Sequence, residues 1–232
     1  MSASRGSVRS TVVWEALEPL LAGDPLDVLD IGGGTGGFAV RVAGLGHRVS
    51  VVDPSPDALA ALDRRARELG VAVSAHQGDL TSLDVAPDSV DVVLCHGVLE
   101  VVPDPPAALA ALHGVLRPGG RLSLLVAQRN AAVLARAVAG HFAEALTLLD
   151  ATEPLGRTGR RFTAAEATRL LTDAAFAVDV VHGNRVFTDL VPGAILDVEP
   201  GSVAALADLE RAVAGRAEFL PLAAQLHLLA TR

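Results

Sequence analysis

The chain has 232 residues, half of them hydrophobic, which suits a single domain with a large core. Its formal net charge of −8 excludes a protein whose whole surface grips nucleic acid. No unbroken apolar run reaches the 18 or so residues of a membrane span, and the opening MSASRGSVRS lacks the apolar core of a signal peptide, so no membrane partner is expected. The single cysteine, Cys95, has no partner for an internal disulfide, which fits a reducing, cytoplasmic setting. All 19 basic residues are Arg, and they are unevenly spread. Residues 1–104 carry net −8, residues 105–185 carry +3 and residues 186–232 carry −3. From Pro105 to Ala143 there is no acid at all, so the middle third is where an anionic substrate best fits.

Taken in chain order, Val12–Leu21 has the apolar spacing of an amphipathic helix. Leu26–Ile31 is a short apolar run ending at glycines, hence a buried strand, and Phe38–Ala43 opens a helix. Arg48–Val52 predicts a second strand, Pro56–Leu69 a helix capped by Gly70, and Val71–Ala75 a third strand. Val90–Cys95 is almost wholly apolar and predicts a strand buried on both faces. Ala107–Leu116 is helical up to Pro118-Gly119-Gly120, and Leu122–Val126 is a fifth strand. Helices follow over Ala131–Ala139 and Ala164–Ala175, with Asp150–Phe162 between them as an exposed loop. A strand near Val178–Val181, a helix over Val203–Ala214 and a strand over Gln225–Ala230 complete the chain. Strands alternating with helices predict an α/β protein, a doubly wound, mostly parallel Rossmann-like sheet. The expected organisation is one domain, 1–232, with a helical cap over 1–22 and a substrate-side insertion over 128–175.

The sharpest local signal is Asp30-Ile31-Gly32-Gly33-Gly34-Thr35-Gly36-Gly37, a strand feeding a glycine-rich turn that opens a helix. Such a turn lets a ligand touch bare backbone. Asp53 ends the second strand, where a carboxylate can accept two hydrogen bonds from a ribose diol. On these two features a nicotinamide dinucleotide and an adenosyl ligand both remain open, since Gly32, Gly34 and Gly37 also satisfy G-x-G-x-x-G.

Four further features separate the two. Asp30 precedes the loop, where it can meet a cationic amino-acid end rather than a pyrophosphate. Gly78-Asp79-Leu80 follows the third strand and places a carboxylate where an adenine amino group would lie. Cys95-His96-Gly97-Val98-Leu99-Glu100 follows the fourth strand, ahead of Pro103-Asp104-Pro105, and Leu116-Arg117-Pro118-Gly119-Gly120 leads into the fifth. This ordered set resembles the class I S-adenosylmethionine-dependent methyltransferases over roughly residues 26–127. The resemblance implies a methyltransferase with S-adenosylmethionine as cofactor, S-adenosylhomocysteine as product, and the ligand at the carboxyl edge of the sheet.

A narrower resemblance covers nearly the whole chain. His96-Gly97-Val98-Leu99-Glu100, Arg121-Leu122-Ser123-Leu124, Val138-Ala139-Gly140-His141-Phe142, Asn184-Arg185-Val186-Phe187 and the tail from Leu209-Glu210-Arg211 to His227 resemble the SmtA/CmoM-like family. Its better-known members methylate the carboxylate of 5-carboxymethoxyuridine in tRNA. The resemblance implies cofactor contacts at Arg9 (in Gly6-Ser7-Val8-Arg9), Gly32, Gly33, Asp53, Asp79, Leu80 and His96, to which the loop itself adds Asp30 and Gly34. Arg9 would face the methionine carboxylate, for which a bidentate guanidinium is well shaped. The chain departs from the family in its basic segment, here Leu155-Gly156-Arg157-Thr158-Gly159-Arg160-Arg161-Phe162, and in having Ala127 where an aromatic is expected. With six Phe, one Trp and no Tyr it has few rings on which to stack a base.

Methyl transfer from a sulfonium needs alignment and exclusion of water more than acid–base groups. No catalytic base stands out, and no metal-ligand spacing occurs among the His, Cys and acidic residues. Arg161 and Arg185 are the candidates for holding an acceptor carboxylate. The acceptor is expected to be a modified tRNA or a small anionic metabolite. A cofactor-binding sensor without catalysis is the alternative of another class.

Overall fold

The computed structural model describes residues 2–154, 159–198 and 201–232, and the side chains of 8–154, 159–196 and 201–232. A seven-stranded sheet runs in the order β3-β2-β1-β4-β5-β7-β6. Its strands are β1 (Asp27–Ile31), β2 (Arg48–Asp53), β3 (Val73–Gln77), β4 (Val90–His96), β5 (Leu116–Ala127), β6 (Ala177–Asn184) and β7 (Gln225–Thr231). The pairings β1–β2, β1–β4, β2–β3 and β4–β5 are parallel, whereas β7 inserts antiparallel between β5 and β6. The predicted mostly parallel, doubly wound sheet is therefore present.

Two apolar layers cover the sheet, and alternation along each strand decides which side chains enter which layer. One layer joins α1 (Ser2–Leu17), α2 (Ala39–Ala43) and α3 (Pro56–Leu69) through Trp14, Leu17, Val40, Leu62 and Ala66 to Val28, Val51, Val92 and Leu94 of the strands. The other joins α4 (Pro105–Val115) and α7 (Ala164–Asp173) through Leu109, Leu112, Ala167 and Leu171 to Leu29, Val93, Leu122, Leu124 and Leu228. The remaining helices are α5 (Arg129–Val138), α6 (Phe142–Leu149), α8 (Gly193–Val198) and α9 (Ser202–Ala214).

Local signals account for most boundaries. Pro56 lies in the first turn of α3, Ser55 accepts the Ala58 N–H as its cap, and Gly70 ends the helix in the left-handed conformation, so its bounds match the expectation. Thr163 and Glu166 form a reciprocal capping box on α7. The first helix starts ten residues earlier than expected, and its predicted end, 18–21, is a 3-10 turn entered at Pro19. The third strand is displaced to Val73–Gln77 because the sheet edge, not an apolar pattern, fixes it; only Val73 of its residues is even partly buried. The short helices α6 and α8 were not expected from the sequence.

The segment 128–175, expected to be a single insertion, divides in two. Residues 129–149 form the hairpin of α5 and α6, whereas α7 is a full member of the sheet's helical layer, with Ala167 and Leu171 completely buried. The expected exposed loop over 150–162 is also tied down at its end. Phe162 is buried, its N–H bonds Ala127 O, and its carbonyl accepts from Arg129 N, which makes a parallel bridge beside Gln128. Residues 155–158 of that loop lie outside the described residues.

At the far end of β6, Arg185 adopts a positive φ of 61° and the chain turns sharply. Glu210 of α9 holds that turn. One oxygen of its buried carboxylate accepts the Val186 N–H at 2.9 Å; the other accepts Phe187 N–H at 2.9 Å, Thr188 N–H at 2.8 Å and Thr188 Oγ at 2.6 Å. Glu210→Ala would strand three backbone donors and a hydroxyl, so urea unfolding should show a loss of about 2–4 kcal/mol. Glu210→Gln should recover only part, because its amide N–H₂ faces donors rather than acceptors.

Candidate active site

The carboxyl ends of β1, β2 and β4 meet at a cavity of about 380 Å³ lined by Gly32, Asp53, Asp79, Leu80, His96 and Val98, among others. The glycine loop forms its floor. Gly32 has φ +66°, and a Cβ there would lie 2.4 Å from a methyl of Val98. At Gly33 a Cβ would lie 2.7 Å from the Asp30 carboxylate and 2.9 Å from Val51. The loop is thus compressed between strand ends and the 96–100 turn, and only hydrogen side chains fit.

Asp53 ties the loop to β2. Its two carboxylate oxygens accept the Gly34 N–H at 2.9 Å and the Ser55 N–H at 2.8 Å. The residue is only 7% exposed, so it is a buried fastening as well as a cavity wall, not the surface acid the strand-end position suggests. Each oxygen keeps a lone pair for a further donor. Asp79 accepts the Thr81 hydroxyl at 2.5 Å and the Thr81 N–H at 2.8 Å and caps the turn after β3; the hydroxyl bond first, and then the N–H, hold its carboxyl below the ordinary range. Leu80 beside it is buried and supplies apolar wall.

Asp30 is 3% exposed and lies just beneath the loop. Burial first, and then the negative charge of Asp53, push its carboxyl up to about 7. His96 is held in the opposite sense: burial lowers it to about 4, so its ring is neutral at neutral pH. Its Nε2 lies 2.8 Å from Ser123 Oγ, and the edge of its ring packs on Phe38 at a centroid distance of 4.9 Å. Cys95, the preceding residue, is fully buried, and burial pushes its thiol up, as befits a core residue.

Arg9 does not line this cavity. Its guanidinium reaches Asp189 at 3.3 Å, on the side of the molecule where the turn after β6 lies. Asp189 also pairs with Arg185. Arg185 lines a second cavity of about 400 Å³ together with Arg161, Arg136, Ala127 and Gln225. Arg136 was not singled out from the sequence; it extends from α5 and is ion-paired with Glu144 at 3.3 Å. Arg161 forms no hydrogen bond or ion pair with the described residues. Burial and the Arg136 charge lower its pKa, against the pull of Glu100. Its backbone is fixed by neighbours on both sides: Arg160 N bonds Glu100 O at 2.8 Å and Phe162 N bonds Ala127 O at 2.9 Å. Glu100 itself is buried, accepts the Ala127 N–H at 2.7 Å through one oxygen, and is raised by that burial. No pattern in the sequence marks Glu100 or Arg136 as neighbours of Arg161, because the contacts cross 25 to 61 positions of chain and depend on the tertiary bridge at Phe162.

The two cavities open at the carboxyl ends of adjacent strands, β4 and β5, one walled by carboxylates and the other by guanidinium groups. In an open α/β sheet this edge is where ligands bind.

Comparison with known proteins agrees with that geometry. Residues 29–124 match the family model described as a methyltransferase domain. The chain is 36% identical over 145 residues to the tRNA 5-carboxymethoxyuridine methyltransferase of Escherichia coli (strain K12), a match covering 60% of this chain and 56% of that protein. It is 37% identical over 114 residues to the ubiquinone biosynthesis O-methyltransferase of Xanthomonas euvesicatoria pv. vesicatoria (strain 85-10), covering 49% of this chain and 48% of that one. The chain thus spans about half the length of the curated relatives it matches. Among solved structures, a SAM-dependent methyltransferase from Methanosarcina mazei superposes with a TM-score of 0.65 at 20% identity, covering 93% of this chain and 96% of the other. The fold is the Rossmann-like one of these solved methyltransferase structures, and residues 29–124 match the methyltransferase-domain model.

The state of Asp30 has a measurable consequence. In the unfolded chain a carboxyl titrates near 4. In the fold Asp30 keeps its proton to about 7. Between those values the folded state binds the extra proton, so this group's contribution to stability is greatest below about pH 4 and declines as the pH rises to about 7. The decline is at most about 4 kcal/mol, at roughly 1.4 kcal/mol per pH unit. Asp30→Asn removes it. Thermal unfolding across pH 5 to 8 should show the mutant gaining on the unmodified protein as pH rises; parallel curves would refute the buried-charge account.

Proposed function

We propose that the protein is an S-adenosylmethionine-dependent methyltransferase that esterifies a carboxylate, with the donor in the carboxylate-walled cavity and the acceptor in the arginine-walled one. The observation that carries this is Arg161, a half-buried guanidinium without an ion pair among the described residues, beside the donor cavity in the next strand-end position. A buried unpaired charge is costly unless it is meant to meet an anion.

The residues fit the donor. Its adenosyl ribose carries a vicinal diol that matches the free lone pairs of Asp53, and its adenine can lie between Leu80 and Val98, with Asp79 at the amino end. Backbone approach at Gly32 and Gly33 is possible because no Cβ is there. The donor supplies a methyl group on a sulfonium, already primed for displacement. Asp30, pushed up by burial and by Asp53, regains its charge when a cationic group stands nearby, so the loop favours an ammonium and repels a pyrophosphate. His96, neutral at neutral pH, adds no positive charge beside that cation.

On the acceptor side Arg161 is the primary anchor. Arg185 already has a partner in Asp189, which Arg9 shares, so an incoming carboxylate competes with Asp189 for it. Arg9 thereby serves the acceptor side, and a role at the methionine carboxylate would require it to leave Asp189. The α5–α6 hairpin, which brings Arg136 and Leu134 to the cavity wall, closes the site from water. A carboxylate acceptor is ionised at neutral pH and needs no base, and among the described residues no histidine lines the arginine-walled cavity. The acceptor is a wobble-modified tRNA or a small anionic metabolite. The likeness to the E. coli tRNA enzyme and the net positive middle third support the former, and no helix among the described residues is long and apolar enough to cross a membrane.

The deciding experiment is transfer of labelled methyl to bulk tRNA against an extract of small organic acids. The product should be lost in mild alkali, as an ester is, and the rate should be nearly flat from about pH 6 to 9, because no base titrates. A methyl stable to alkali, or a rate climbing with pH, would defeat the carboxylate reading. Arg161→Ala should raise the Michaelis constant of the acceptor at least about tenfold while leaving S-adenosylhomocysteine binding unchanged, and Arg185→Ala should have a smaller effect. In the donor cavity, S-adenosylhomocysteine at about a hundredfold excess over its Kd should stabilise the protein by roughly 3 kcal/mol. Asp53→Asn should weaken that binding about tenfold and also lower stability, since the Gly34 and Ser55 N–H groups lose an ionised acceptor. Binding of the ligand without transfer to any acceptor would favour a sensor.

A further inference from the structure

The two acceptors named above share a carboxylate and differ in what carries it, a nucleoside in one case and a small organic body in the other. The walls of the arginine-lined cavity bear on that difference. Every residue lining it lies beyond residue 124, where the matched methyltransferase-domain model ends. The acceptor side of this chain is therefore read from its own side chains.

Of the three guanidinium groups in the wall, two are already paired, Arg136 with Glu144 and Arg185 with Asp189. Arg161 has no ion-pair partner among the described residues, so the cavity has one positive charge left for a ligand. A nucleic-acid strand brings a phosphate with every nucleotide and is held by several cations along its backbone. Here Glu144 and Asp189 stand among the arginines and oppose such a track. A base also lacks a ring to stack on, since no Phe, Trp or His among the described residues lines the cavity. The Gln225 side chain, which could read a base edge, already accepts the Asn184 amide N–H at 2.9 Å.

The rest of the wall is aliphatic. Ala127, Ala131, Ala135 and Ala224 offer methyl groups. Leu134 of α5, Leu190 in the turn after β6 and Leu222 in the 3-10 turn before β7 come from three separate elements, line the same cavity and are all exposed. Exposed leucines scattered singly need no explanation, but three that converge on one cavity with charges at its wall mark a ligand groove. One helical turn beyond Leu134 the apolar edge continues in Val138, which is 81% exposed. The volume of about 400 Å³ falls among cavities that hold a whole small ligand.

We propose that the ligand of this cavity is an aliphatic monocarboxylic acid, its carboxylate on Arg161 and its chain against Leu134, Leu190 and Leu222. As the methyl acceptor, this acid rests on the carboxylate reading of the proposed function and narrows it. An oxygen of the acid supplies the electron pair of the new O–CH₃ bond, the pair of the broken C–S bond stays on sulfur, and no proton moves. The products are the methyl ester and S-adenosylhomocysteine.

Calorimetric titration of straight-chain acids from butanoate to decanoate into the protein without methyl donor, near pH 7, reads the site apart from catalysis. Affinity should rise about fourfold with each added methylene, the worth of burying one, and level off once the cavity is full. Leu134→Ser and Leu222→Ser, both at exposed positions, should each lower that gain per methylene. Arg161→Ala should weaken every acid in the series at least about tenfold and keep the gain per methylene. Transfer of labelled methyl should follow the same order of chain length. The proposal is overturned by affinity that does not depend on chain length, or by a gain per methylene that neither serine variant alters, which is adventitious binding to apolar surface. Preference of the methyl for carboxymethoxyuridine in tRNA over decanoate would overturn it as well. Acids that bind in the expected order while neither they nor tRNA take up an alkali-labile methyl would support the ligand class and sink the carboxylate-methylation reading alone.

Discussion

Two buried carboxylates at the ends of adjacent parallel strands set the character of this molecule. Asp30 closes in under the glycine loop from β1, and Asp53 fastens the same loop from β2. The fold keeps both, and Asp30 holds its proton because it is buried and, second to that, because Asp53 is close by. A pocket built this way disfavours a pyrophosphate and favours a cation. That electrostatic preference supports the adenosyl ligand of the proposed function over the dinucleotide that the glycine pattern leaves open.

The donor half of the site was legible in the sequence because its determinants are local. A strand, a glycine turn and a strand-end acid fall within 27 residues, Asp27 to Asp53, and the same backbone geometry that makes the turn also makes the pattern. Gly32, Gly33, Gly34, Asp30, Asp53, Asp79, Leu80 and His96 all gather at one edge of the sheet as the spacing implies. What the sequence did not convey was depth. Asp53 reads as a surface acid but is a buried fastening, and Asp79 reads as a ligand contact but first of all caps a turn.

The acceptor half was legible only in outline, because its determinants are distant. The arginine-rich middle third supplies Arg136, Arg161 and Arg185 of the second cavity, yet the partners of each guanidinium follow from tertiary contacts. Arg185 is held by a turn that Glu210 fixes from a helix about two dozen residues on, and its partner Asp189 is shared with Arg9 from the opposite end of the chain. Periodicity likewise missed α6 and α8, which are too short to show a repeating face, and displaced β3, an edge strand with little apolar burial to mark it.

The opposition between the two halves bears on the proposed chemistry. A methyl group passing from a sulfonium to a carboxylate joins a cation to an anion and yields two neutral products. Charge therefore diminishes along the reaction path, and surroundings that solvate separated charges poorly raise the free energy of the reactants more than that of the transition state. Water lowers the reactants most and so slows such a reaction. In the proposed arrangement a donor beside Asp30 and Asp53 and an acceptor beside Arg161 would each meet an opposite fixed charge while that water is excluded. The cost is that every fixed charge must be supported when its ligand is away. Asp30 meets this by taking up a proton and Arg185 by pairing with Asp189, while Arg161, wedged between Glu100 and Arg136, has no such partner among the described residues. That difference makes Arg161 the position at which an acceptor's charge changes the protein's own energy most.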